Sequence, residues 1–142
     1  HLTESHVIPS VIRKVYEAKR NNEPVRLWGN GQSLREFTYS EDLAKIITHA
    51  FNNFNGEHPI NVGNPNEYSI SEIADLISGF LDHNVEVIWD NSVGNGQFRK
   101  PSDNSKFIEL GWKNENYTDF KDALKDTCDW FLEHYPKVRG VE

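Results

Sequence analysis

The sequence predicts a small mixed α/β domain, with about four helices interleaved with short strands. Three observations carry that reading. Apolar residues recur at spacings of three and four in separate stretches, the mark of one-sided helices. Short β-branched and aromatic runs lie between those stretches, bounded by Gly, Pro or Asn. And 142 residues suffice for a single domain with a real core but are few for two.

Each element has a local reason. Ser5 is placed to cap a first helix running to Arg20, with Pro9 near its first turn, where a missing N–H is tolerated. Ile8, Val11, Ile12, Val15 and Tyr16 form its apolar stripe. Pro24 restarts the chain, and Val25–Trp28 reads as a short strand ending in the turn Gly29-Asn30-Gly31. Arg35 to Tyr39 alternates polar and apolar groups in extended fashion. Ser40 then caps a second helix carrying Leu43, Ile46, Ile47, Ala50 and Phe51. Pro59 to Gly63 reads as a buried strand, followed by the loop Asn64-Pro65-Asn66. Ser69 and Glu72 form a capping box ahead of Ile73, Ala74, Leu76, Ile77, Phe80 and Leu81. Val85 to Trp89 is the next strand. A long polar loop, Asp90 to Asn104, carries Arg99-Lys100-Pro101; loops of that length are usually functional or disordered. A turn of helix near Ser105 to Leu110 precedes a last helix, capped by Thr118 and bearing Phe120, Ala123, Leu124, Trp130 and Phe131. Residues 1–142 are therefore read as one domain.

The chain carries 15 basic and 22 acidic side chains, a net charge of −7. That balance argues against a nucleic-acid partner, although it leaves room for a local basic site. The lone cysteine, Cys128, has no partner for an internal disulfide, which fits a reducing, cytoplasmic setting. No apolar run approaches the roughly 20 residues that span a bilayer, and the first residues do not resemble a signal peptide, so no membrane partner is expected.

Several chemistries find no support in the residues. His1, His6, His49, His58, His83 and His134 are scattered, with no pair at helical ligand spacing, so no metal is expected. Cys128 stands on the last helix with nothing nearby in sequence to lower its pKa, and reads as packing rather than as a nucleophile. Gly29/Gly31 and Gly94/Gly96 lack the strand–glycine–helix spacing of a dinucleotide fingerprint. What remains is recognition of an anion and a ring. Trp28, at a strand end, serves equally as a stacking surface or a core residue. Arg35 suits a diphosphate through its fork of donors, or else an ion pair with Glu36, Glu41 or Asp42. Lys100 beside Arg99 is placed to close over phosphate or to be solvated. His6 opens a helix, where the dipole favours its neutral form.

The order of these signals resembles the GDP-L-fucose synthases, NADPH-dependent epimerase–reductases of the extended short-chain dehydrogenase/reductase superfamily. The matching stretches are Ser5-His6-Val7-Ile8-Pro9, Leu27 to Gly31, Arg35-Glu36-Phe37, Asp42-Leu43-Ala44, Ile60 to Gly63, Gly96 to Lys100 and Thr127 to Phe131. The first of these and the Gly96 to Lys100 loop are the more particular to that family. The resemblance implies that this chain is the C-terminal substrate domain, and that an NADP(H)-binding Rossmann domain is missing from it. It implies a proton-donating, cofactor-adjacent role for His6 in epimerisation of a 4-keto sugar. It also implies contacts to the GDP-sugar from Lys14, Trp28, Arg35, Asn95 and Lys100. Lys14 stands where the family often has arginine, and Asn95 where an aspartate is common. The family's Y-x-x-x-K dyad and catalytic cysteine have no counterpart here. The fragment is therefore expected to be inactive alone, to bind no cofactor tightly and to bind a GDP-sugar weakly, as half a cleft would. The absence of any methionine, with His1 at the start, favours truncation. Two rivals stand beside this reading: a substrate domain for a UDP-, dTDP- or CDP-sugar enzyme, and a free-standing interaction module that has lost catalysis. An exposed apolar patch would point to a homo-oligomer or to a missing partner domain.

Overall fold

The computed structural model of the chain describes residues 5–83, 86–92, 94 and 96–138. In chain order the elements are α1 (Val7–Asn21), β1 (Val25–Trp28), β2 (Leu34–Glu36), α2 (Ser40–Asn53), β3 (Glu67–Ser69), α3 (Ile70–Phe80), β4 (Val87–Asp90), α4 (Ser105–Glu109) and α5 (Phe120–His134), with one 3-10 turn at Asn114–Asn116. This is the mixed α/β composition read from the sequence.

The strands form two small ladders rather than one sheet. β1 and β4 pair in parallel, with Val25 beside Val87 and Trp28 beside Asp90. β2 and β3 pair antiparallel, with Leu34 opposite Ser69, Arg35 opposite Tyr68 and Glu36 opposite Glu67. β1 alternates buried and exposed residues, sending Val25 and Leu27 inward and Arg26 and Trp28 outward. The main core joins α1, β1, α3 and α5 through Val11, Ile12, Val15, Leu27, Ile73, Ile77, Leu124 and Phe131. Each such side chain contributes roughly 1.5–3 kcal/mol by leaving water. A second cluster, Ile46, Phe107 and Trp112, holds α2 and α4 together.

Helix ends differ from the sequence reading in instructive ways. Ser69 and Glu72 make the predicted capping box in full. The cap of α1 is His6, not Ser5, and its side chain makes no capping bond. α2 begins at Ser40 itself, with Tyr39 as its cap. Asp119, not Thr118, caps α5, accepting from the Lys121 and Asp122 amides. Thr118 is engaged elsewhere: its amide and hydroxyl each donate at 2.8 Å to the buried carboxylate of Asp42. A threonine already held by a carboxylate is not available to cap.

The largest departure is Pro59 to Gly63, which joins no ladder. An extended segment needs a neighbour for its backbone groups, and each of the two ladders of the described residues consists of its own two strands alone. Ile60 and Val62 pack instead on Ile46, Phe107 and Trp112, while the Gly63 carbonyl accepts from Asn104 Nδ2 at 3.1 Å and the Tyr117 hydroxyl at 2.6 Å. The strand expected from Val85 begins at Val87; Val85 itself lies outside the described residues. On α2 the expected apolar face is divided. Ile46 is fully buried, whereas Leu43, Ile47 and Phe51, four residues apart, are 39%, 59% and 86% exposed.

Candidate nucleotide-sugar site

The glycine turn after β1 is built into the fold by its backbone. Gly29 N–H extends the β1–β4 ladder by donating to the Asp90 carbonyl at 2.9 Å, and Asn30 Oδ1 accepts from the Gln32 amide. The carbonyls of Gly31 and Ser33 then accept from Ser71 and Ile70, the first amides of α3. Gly31 adopts φ +74, and a Cβ there would meet Trp89 at 2.7 Å. Only glycine fits.

This turn forms the floor of a cavity of about 180 Å³, whose walls include Val7, Trp28, Asn30, Arg35, Ile70 and Gly94. A second, larger groove of about 640 Å³ lies between α1 and β1 and is lined by Lys14, Glu17, Asn21, Arg26 and Trp28. Trp28 therefore borders both spaces. It is 52% exposed, which excludes the core reading. The Lys14 ammonium sits 4.7 Å from its ring centre, an attractive cation–π arrangement, and burial lowers the Lys14 pKa. His6, exposed at the start of α1, immediately precedes the cavity residue Val7.

Arg35 pairs with none of Glu36, Glu41 or Asp42. Its guanidinium donates to main-chain carbonyls: Leu34 at 2.5 Å, Gln97 at 2.7 Å and Phe98 at 3.4 Å. The Leu34 amide also donates to the Phe98 carbonyl at 2.8 Å. The far end of the long polar loop is thus fastened along β2. Arg99 and Lys100 part company within that loop. Arg99 is bound to Glu67 through Nε at 2.6 Å and Nη2 at 2.5 Å, whereas Lys100 is exposed and has no ion-pair partner among the described residues. Asn95 lies outside the described residues.

The structure therefore brings together Lys14 and Trp28 in the groove and Trp28 and Arg35 in the cavity, with His6 next to a wall residue. It does not line either space with Lys100. Sequence reasoning missed Glu67 and Glu36 as the loop's anchors. The alternating run at Glu36 hinted at a strand, but nothing local announced β3 as its partner. Among the described residues no group of His, Cys, Asp and Glu is arranged to hold a metal ion. Cys128 is fully buried, and burial pushes its thiol up to about 12, far from a nucleophile's range. No helix among the described residues is long and apolar enough to cross a membrane.

Comparison with known proteins gives these residues a setting. The sequence profile of the NAD dependent epimerase/dehydratase family matches residues 1–63, which contain the turn, Trp28 and Arg35. The GDP-L-fucose synthase of Dictyostelium discoideum is 37% identical over 98% of this chain, which spans 44% of that protein. A crystal structure of a GDP-L-fucose synthetase from Naegleria fowleri, bound to NADP, superposes with a TM-score of 0.91 at 33% identity, over 98% of this chain and 44% of the other. The chain is similar to the C-terminal part of extended short-chain dehydrogenases/reductases of the GDP-L-fucose synthase type. A GDP-L-colitose synthase from Yersinia pseudotuberculosis is also similar, 38% identical over 90% of this chain and 42% of its own length. The chain spans less than half the length of these relatives and corresponds to their C-terminal part.

Among extended short-chain dehydrogenases/reductases the cofactor needs a cradle, and the residues described here do not supply one. A dinucleotide site places glycines between a strand and the N-terminus of a helix. Here Gly29 and Gly31 join β1 to β2, and the helix whose amides meet this turn, α3, is already bonded to the Gly31 and Ser33 carbonyls.

Proposed function

We propose that this chain is the substrate-binding part of an NADPH-dependent epimerase–reductase that converts GDP-4-keto-6-deoxymannose to GDP-L-fucose. The observation that carries the reading is the junction at Trp28, where an exposed indole, the Lys14 ammonium and the Arg35 guanidinium border two adjoining spaces. An aromatic face and two cations suit a nucleoside diphosphate: the ring offers a stacking surface, and the cations balance the diphosphate charge.

His6 is the candidate proton donor. It is exposed at the mouth of α1 and spends no side-chain bond on capping, so its imidazole is free to approach a carbon acid. Return of a proton to carbon at neutral pH is chemistry that suits an imidazole. Hydride chemistry belongs to a cofactor for which these residues form no cradle; no step of it is assigned to this chain, and the isolated domain is inactive in this reading. Residues 1–142 act as one substrate domain in a cytoplasmic enzyme, with the NADP(H)-binding domain as its partner. The exposed stripe Leu43, Ile47 and Phe51 supports that partner over a free-standing module, which would carry a polar surface there.

The test is a thermal-shift titration of the chain with GDP, GDP-mannose, UDP and dTDP, with Arg35→Ala as control. A ligand of the folded state raises the Tm according to its concentration over its Kd. Stabilisation by the guanine nucleotides alone, lost in the control, is expected. An equal response to all four would reduce the site to a generic diphosphate binder. The similarity to a GDP-L-colitose synthase favours a second reading, a different GDP-linked sugar, which product analysis of the full-length enzyme separates from the first.

A further inference from the structure

Two glutamates face each other at the end of the β2–β3 ladder, Glu36 and Glu67. Like charges directly opposite on a ladder are destabilising, yet both are held by the same short stretch of loop. Glu67 binds the Arg99 guanidinium, and Glu36 accepts from the Ser102 amide at 3.0 Å and hydroxyl at 2.6 Å. Lys100 lies between these two anchors. Just upstream, the carbonyls of Gln97 and Phe98 are held by Arg35. The run 97–102 is therefore fixed along the β2–β3 ladder by Arg35, Glu67 and Glu36, and the first of these is a residue of the candidate diphosphate site.

The charges in this stretch are also sorted. Arg99 is neutralised by a carboxylate whose side chain is only 12% exposed, and whose other oxygen, Oε1, is buried without a partner. Arg35 bonds carbonyls and meets no carboxylate among the described residues. Lys100 likewise has no ion-pair partner among them. The loop thus presents one spent cation and one unspent one, and the spent one fixes the position of the other.

We propose that Glu67 is a positioning residue: by holding Arg99 it fixes the loop so that Lys100 and Arg35 act together on the diphosphate of the bound nucleotide. This rests on the nucleotide-sugar reading above. It has a consequence whose sign runs against simple electrostatics. Glu67→Gln removes a negative charge near an anion site and frees Arg99. If charge alone governed binding, affinity for a diphosphate would rise. If Glu67 acts through position, affinity falls although the site has become more positive.

The experiment measures Kd for GDP and for inorganic pyrophosphate by calorimetry on the 142-residue chain, in the wild type, Glu67→Gln, Lys100→Ala and the exchanged pair Glu67→Arg/Arg99→Glu. Amide hydrogen exchange of residues 97–102 and the Tm are followed in each. The expected result is about a tenfold loss in Glu67→Gln, similar to that in Lys100→Ala, with faster exchange in 97–102. Recovery of most of the affinity is expected in the exchanged pair. A merely structural role would lower the Tm and leave the Kd of the remaining folded protein unchanged. Unchanged or tighter binding in Glu67→Gln overturns the positioning role while leaving the nucleotide reading intact. No binding by the wild type overturns the nucleotide reading itself, and with it this role.

Discussion

The Lys14 ammonium and the Trp28 ring, 4.7 Å apart, join the first helix to the end of the first strand at the border between two ligand-sized spaces. The pair is half open to solvent, so its contribution to stability is small, about 0.5–1 kcal/mol. Its contribution to binding is expected to be larger. Trp28→Ala should lower the Tm by no more than roughly 4 °C but weaken GDP by about tenfold or more, because stacking on an indole is worth roughly 1–3 kcal/mol per base. Calorimetry and a melting curve on the same preparation check both halves. A large Tm loss with unchanged GDP affinity would return Trp28 to a packing role.

Asp42 shows the opposite balance. It is 1% exposed and receives the Thr118 amide and hydroxyl, with the Lys45 ammonium at 3.3 Å. It ties the start of α2 to the start of α5. Asp42→Ala takes the acceptor from the amide and hydroxyl of the half-buried Thr118, together costing up to about 3 kcal/mol. A loss of about 3 kcal/mol, or roughly 10 °C in Tm, is expected, with GDP affinity per folded molecule unaltered. Urea denaturation gives the first number and calorimetry the second.

How much of this was legible in the sequence divides by range of interaction. Val25–Trp28 and the Ser69–Glu72 capping box were readable because their causes lie within a few residues. The α1 stripe was readable because Val11, Ile12 and Val15 repeat at helical spacing, and all three are buried. Thr118 was misread as a cap because its true acceptor, Asp42, is 76 residues away. Pro59 to Gly63 has strand composition, but the composition says nothing about whether a neighbouring strand exists. The sequence neighbours of Arg35 offer it carboxylates. Its actual partners are main-chain carbonyls, that of Leu34 beside it and two others 62 and 63 residues on, and main-chain acceptors leave no trace in composition. The candidate site residues come from the family resemblance rather than from any single motif.

His83 gives the pH dependence a sign. It is 6% exposed, its Nε2 is buried without a partner, and burial, reinforced by the charge of Lys19, lowers its pKa despite a bond with the Glu23 backbone. The folded state therefore resists a proton that the unfolded chain accepts below about pH 6.5. In that window the unfolded state binds more protons, so stability falls as pH falls. Melting curves between about pH 5 and pH 8 should show the wild type losing Tm on the acid side relative to His83→Leu. A constant difference across the range would assign the acid loss to other groups.

The exposed residues Leu43, Ile47 and Phe51 are expected to be costly to leave uncovered and cheap to replace. Phe51, 86% exposed, makes little of the fold's own packing, and surface changes of this kind usually stay within about 0.5 kcal/mol. Phe51→Glu should keep the Tm and abolish concentration-dependent association in sedimentation velocity. Wild-type protein that stays monomeric at high concentration would remove the stripe as an adhesive face.

Gly31 is the position where backbone, core and site meet. Its φ of +74 disfavours any L side chain, and a Cβ would stand 2.7 and 2.8 Å from two atoms of the Trp89 ring and 3.1 Å from Ser71 Cβ. Neither neighbour yields easily: Trp89 belongs to β4, paired with β1, and Ser71 N–H is bonded to the Gly31 carbonyl at 2.9 Å. Relief must come from the turn itself, which would carry Trp28 and Arg35 with it. Gly31→Ala is therefore expected to cost about 1–3 kcal/mol from left-handed strain and overpacking, and to weaken GDP further than the lost stability explains. The control is Gly94→Ala, which also lines the cavity but whose Cβ meets nothing within 4 Å. If both alanines weaken GDP equally, the loss comes from filling the cavity; if only Gly31→Ala does, it comes from the geometry of the turn.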